Sequence, residues 1–64
     1  MSSTYRVEGM TCDHCRAAVE NHVGAVPGVT AVAVDLATGT VRVEGDPEDR
    51  LVRDAIVEAG YAVA

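Results

Sequence analysis

The chain has 64 residues, ten acidic side chains against five basic ones, and a formal net charge of −5. A chain this short buries only about 60% of its unfolded surface, which leaves no room for an enclosed active site or a dinucleotide subdomain. The five basic residues are scattered arginines and the aromatic rings are Tyr5 and Tyr61, so the basic, base-stacking surface of a nucleic-acid binder is missing.

Other classes fall away as quickly. No apolar run approaches the roughly 18 to 20 residues that cross a bilayer. The opening residues lack a basic region followed by an apolar one, so no secretory leader is expected. The expected location is cytoplasmic, with reduced thiols. Two cysteines allow at most one disulfide, which excludes a disulfide framework. Twelve Val and ten Ala, with no Phe or Trp, predict thin layers of small, close-packed side chains.

Residues 4–8 alternate, with Tyr5 and Val7 on one face, and predict a half-buried strand. Gly9 breaks the pattern, and residues 10–14 form a loop. Asp13 or Thr11 is the expected cap of the helix that follows. Ala18, Val19, His22, Val23 and Val26 recur at helical spacing, which predicts an amphipathic helix over roughly residues 14–25 with His22 in its partly buried stripe. Pro27 and Gly28 then turn the chain.

Residues 29–35 are β-branched and alternating, with Val32, Val34 and Leu36 on one face. Residues 37–39 read as a hairpin loop with Gly39 at positive φ. Val41 and Val43 face inward on the returning strand. Asp46 is the expected cap of a second helix, with Pro47 at its first position and Asp49 in its first turn. Leu51, Val52, Ala55, Ile56 and Ala59 form its apolar stripe, and Gly60 stops it. Residues 61–63 make a short last strand.

The order is βαββαβ. Two right-handed crossovers then give an α+β ferredoxin-like sandwich, with a four-stranded antiparallel sheet and two helices on one face. Residues 1–64 read as a single domain. Such a fold says little about function by itself.

The chemistry resides in Cys12 and Cys15, on a loop that runs into a helix start. Their spacing brings both sulfurs to one side of the first turn. Unpaired amides and the helix dipole there favour anions and lower thiol pKa values. A structural zinc site takes four ligands, and the chain adds only His14 beside the pair and His22 about two turns along the helix. A closed zinc site within one chain is therefore not expected. Soft thiolates select Cu(I) among the first-row metals, and Hg(II) fits the same pair. The unit of Cu(I) and two thiolates carries −1, offset by the helix start, with Arg16 a further candidate. His14 reads as a solvated loop residue; a third ligand, a bridging ligand and a proton-linked tuner remain open roles. Met10 reads as core rather than ligand. A thiol–disulfide redox protein is the rival of another class, although that chemistry calls for a longer fold with a substrate groove.

Gly9-Met10-Thr11-Cys12-Asp13-His14-Cys15, Val26-Pro27-Gly28-Val29, Val34-Asp35-Leu36-Ala37-Thr38-Gly39 and Ala59-Gly60-Tyr61 together resemble the heavy-metal-associated (HMA) domain family. The resemblance covers residues 5–63, and as a free-standing chain it is similar to bacterial copper chaperones of the CopZ type. It implies Cu(I) held on Cys12 and Cys15 and passed by thiolate exchange to the same kind of domain on a copper-exporting P-type ATPase. It implies no enzyme activity. It implies that Met10 tucks inward as a loop anchor, and that Tyr61 is the tyrosine bacterial members carry near the metal loop. Thr11 stands where members tuned to Zn or Cd often carry Asp.

An ATPase-borne domain, a Hg(II) or Zn(II) carrier and a metal-bridged homodimer stay open beside this reading. No nucleic-acid partner and no membrane insertion are expected. The late acidic residues Glu44, Asp46, Glu48, Asp49, Asp54 and Glu58 read either as a solvated face or as a docking surface for a basic partner.

Overall fold

The computed structural model describes residues 2–64. The elements are β1 (Ser2–Glu8), α1 (Asp13–Gly24), β2 (Val29–Asp35), β3 (Thr40–Gly45), α2 (Asp49–Glu58) and β4 (Ala62–Val63). The strands lie in the order β2-β3-β1-β4, each antiparallel to its neighbour. This is the predicted ferredoxin-like sandwich.

Register decides which side chains reach the core. Tyr5 lies opposite Val41, which lies opposite Val34, and Val43 lies opposite Val32. The row between them, Thr4–Arg42–Ala33, points the other way. A slip of one residue would exchange these rows and expose the valines, so the pattern specifies the pairing. Val19 and Val23 of α1 and Val52, Ala55 and Ile56 of α2 join the inward sheet residues in one cluster. Both helices therefore cover the same face. The fully buried large side chains are one Ile and five Val, and no charged side chain is buried with them among the described residues.

Three expectations are corrected. His22 is exposed rather than partly buried. The inner stripe of α1 is Val19 and Val23, continued past the helix by Val26, and His22 sits about 100° around the axis from Val23. It borders an open groove of about 280 Å³ between the helices, beside Leu51, Asp54 and Glu58. The second correction concerns α2, which begins at Asp49 with Glu48 as its cap residue, so neither Asp46 nor Pro47 has its expected role. The Asp46 N–H donates to the Gly28 carbonyl at 3.0 Å, which ties this segment to the start of β2. The residue before a proline also disfavours helical geometry. Third, Cys12 is the cap residue of α1, and neither Thr11 nor Asp13 caps it. Asp13 is instead the first helical residue.

The end of α2 closes as expected. Gly60 has φ +100, its N–H donates to Val57 O at 2.9 Å, and the Tyr61 N–H donates to Ile56 O at 3.2 Å. This pair of bonds is the Schellman closure. It hands the chain directly to β4, where Val63 lies opposite Val7 and Ala62 opposite Glu8. Tyr61 is thereby delivered to the end of β1, where the Cys12 loop begins.

Candidate metal centre

The loop between β1 and α1 is anchored from below and open above. Met10 is only 7% exposed and belongs to the core cluster, as the inward-anchor expectation requires. Residues 11–14 are exposed and Cys15 is half-buried. Cys12 has extended backbone, φ −152 and ψ 169, and its carbonyl accepts the Arg16 N–H at 3.1 Å, which starts the helix. No side chain caps the amides of that first turn. They are free to face an anion.

The two sulfurs lie together beside this helix start. Cys12 Sγ and Cys15 Sγ lie 3.3 Å apart as free thiols. A backbone hydrogen bond at Thr11 pulls the Cys15 pKa down most strongly, followed by the Tyr61 hydroxyl and then the Cys12 thiol. These overcome the opposing desolvation and bring it from the ordinary 9.0 to about 6. The same contact raises the pKa of Tyr61, because a phenol beside a thiolate keeps its proton. At neutral pH Cys15 is therefore largely a thiolate.

The neighbours contribute less than their positions suggest. Arg16 faces its own helix, with Nε 3.6 Å from Asp13 Oδ1 and Nη1 3.4 Å from Glu20 Oε1. Its charge is already engaged there and is not free to offset the sulfurs. His14 is exposed in the first turn. Among the described residues no group of three or more His, Cys, Asp and Glu side chains is gathered to hold a metal. The arrangement suits a soft ion content with two sulfurs and does not assemble a tetrahedral centre.

One member of the site was not recognised from the sequence. Gly9, at φ +95, packs directly against the Tyr61 ring, and a Cβ on it would lie 3.3 Å from Tyr61 Cδ1. The glycine was legible as a strand breaker, but no local pattern signals a contact between the two ends of the chain.

The heavy-metal-associated domain matches residues 4–62. The chain belongs to this family. The HMA chain is 48% identical over 64 residues to the copper chaperone CopZ of Bacillus subtilis, covering 95% of this chain and 93% of that one. It is 45% identical over 64 residues to copper-transporting ATPase 2 of Rhizobium meliloti, covering 97% of this chain but only 8% of that protein. A solved CopZ metallochaperone superposes with a TM-score of 0.96 at 37% identity, over the whole of both chains. HMA copper chaperones are metal-binding carriers, and this chain is not an enzyme.

Proposed function

We propose that the chain is a Cu(I) carrier that holds one ion on Cys12 and Cys15 and passes it to the metal-binding domain of a copper-transporting P-type ATPase. The observation that carries this reading is the sulfur pair, 3.3 Å apart at an uncapped helix start, with the Cys15 pKa brought down to about 6. The near-full-length likeness to proteins named copper chaperones supports copper as the ion. In this reading residues 1–64 act as one unit in the cytoplasm. Met10 anchors the loop from the core and does not bind metal. Tyr61 shields the Cys15 flank, and His14 remains in solvent.

Release follows from low coordination. A thiolate of the recipient attacks the ion and forms a three-coordinate intermediate. One sulfur of this chain then leaves, and a second exchange completes the transfer. No proton or electron is lost in the exchange of one thiolate for another. The exposed Cys12 gives the incoming sulfur its access. The same chemistry serves a domain within an ATPase, a second reading favoured by the 45% identity to one.

The test is an anaerobic competition between the reduced chain and a chromophoric Cu(I) chelator, repeated with Zn(II). Tight Cu(I) binding at one ion per chain, with much weaker Zn(II), is expected. Equal preference for the two metals would overturn the copper assignment. Transfer to an isolated ATPase metal-binding domain, followed by mass spectrometry of both chains, then separates a carrier from a storage protein.

A further inference from the structure

The late acidic residues meet different surroundings in the fold. Asp49 is engaged by Tyr5 and Arg53, and Glu44 Oε2 lies 3.5 Å from Arg42 Nε. Asp46 and Glu48 precede α2 and do not line the groove between the helices. Asp54 and Glu58 do line that groove of about 280 Å³, and neither is in an ion pair among the described residues.

These two carboxylates stand where a helix least favours them. They are one turn apart on the same face of α2, so they repel each other. Glu58 is also the last residue of α2, where the dipole favours a cation, and the last turn holds no basic side chain. The fold offsets neither conflict. Breaches of a local rule without an internal remedy are expected where a chain meets something else.

Below the carboxylates the groove is apolar. Val26 and Ala55 form a buried floor, half-buried Leu51 lies beside them, and His22 stands on the α1 wall. The volume falls just short of the roughly 300–1,000 Å³ of small-molecule pockets, which leaves room for a side chain. Among the described residues no group of three or more His, Cys, Asp and Glu side chains is gathered to hold a metal there. An apolar floor under two carboxylates matches Lys or Arg, whose aliphatic stem lies on apolar surface while the charged head stays at the rim. The groove is also remote from the sulfurs. His22 lies nearly three turns after Cys12, about 15 Å along the axis of α1.

We propose that the groove between α1 and α2 is a docking site for a Lys or Arg side chain, flanked by an apolar residue, on a partner protein. The stem rests on Val26, Ala55 and Leu51, and the cation meets Asp54 and Glu58 at the end of α2. A partner seated there leaves the two sulfurs accessible. The contact does not depend on which metal the chain carries. Exposed ion pairs are individually weak and are screened by salt, so the encounter is brief and salt-sensitive.

The probe is a blocked tripeptide, Leu-Arg-Leu, titrated at low salt into the reduced full chain and followed by amide nuclear magnetic resonance shifts. Saturable shifts over residues 22–26 and 51–58 are expected. Their absence, or shifts confined to the Cys12 loop, would overturn the proposal. Asp54→Asn combined with Glu58→Gln should weaken binding by about fivefold, while Asp46→Asn combined with Glu48→Gln leaves it unchanged. Equal losses in the two double variants would assign the binding to the net charge of −5 and not to the groove. A blocked Ala-Arg-Ala peptide should bind more weakly than Leu-Arg-Leu, and equal binding would remove the apolar floor from the account. Two further results would name another occupant and so overturn the proposal. The same shifts on concentrating the chain without peptide would point to a second copy. Displacement of the tripeptide by Zn(II), in a chain carrying Cys12→Ser and Cys15→Ser, would point to a metal.

Discussion

The two helix starts of this small chain have the same defect and resolve it in opposite ways. Neither α1 nor α2 has a side-chain cap. At α2 the first-turn carboxylate of Asp49 is engaged by the protein itself. Tyr5 donates its hydroxyl to Asp49 Oδ1 at 2.6 Å, Arg53 Nε donates to Oδ2 at 2.8 Å, and the guanidinium lies 5.9 Å from the Tyr5 ring centroid. At α1 the first-turn carboxylate of Asp13 is likewise met by Arg16, at 3.6 Å, but the two sulfurs beside it have only each other, nearby backbone and the Tyr61 hydroxyl. One start is closed by the fold and ties β1 to α2. The other, on the carrier reading proposed above, keeps its binding capacity for an ion from outside. The difference teaches that an unsatisfied helix start is informative only when the groups placed on it are themselves left open.

The largest expected effect falls on the open start. Cys12→Ser or Cys15→Ser should weaken Cu(I) binding by more than about a hundredfold, beyond the loss of an outer partner, with the fold intact by circular dichroism. A variant that keeps its affinity would place the metal elsewhere. Next comes the core packing of α2. Ile56→Ala should cost about 2–5 kcal/mol in urea unfolding, while the folded fraction binds Cu(I) as before. A parallel loss of affinity would mean that this packing also sets the geometry of the sulfur pair.

Acidity sharpens the same contrast. Iodoacetamide alkylation of the metal-free chain should rise with a midpoint near pH 6, where the Cys15 thiol sits, rather than near the ordinary 9.0. Because the folded state holds the thiolate better than the unfolded one, the associated stability is present in full above pH 9. It shrinks between 9 and 6 and is gone below 6. A midpoint near 9 would remove the activated thiolate from the account. The smallest effect belongs to Tyr5→Phe, expected to cost about 1 kcal/mol at neutral pH. Asp49 has its pKa lowered, first by the Tyr5 hydrogen bond and then by Arg53. The Tyr5→Phe difference should therefore vanish only as pH falls below the usual carboxylate range. A difference that persists there would assign the effect to packing.

Much of this was legible in the residues because the deciding forces are local or periodic. Alternating valines name the inward rows, Gly60 marks the end of α2, and the Cys-x-x-Cys spacing after a strand brings two sulfurs together. The misreadings share a different origin. His22 carries helical spacing, but whether a ring at the margin of a stripe is covered depends on how the second helix lies across it. The start of α2 was expected too early because Asp46 and Pro47 carry the local signs of a cap, and only the tie from Asp46 to Gly28 overrides them. The Gly9–Tyr61 contact and the Tyr5–Asp49 bond join residues far apart in sequence. Both follow from the order of strands in the sheet and from no pattern within a window.

The central claim is that two sulfurs, and nothing else, hold the ion. X-ray absorption at the copper edge, on the chain loaded with one Cu(I), tests it most directly. The account predicts two sulfur neighbours and no nitrogen. A nitrogen neighbour, which His14 would supply, or a third sulfur from a second chain would contradict it.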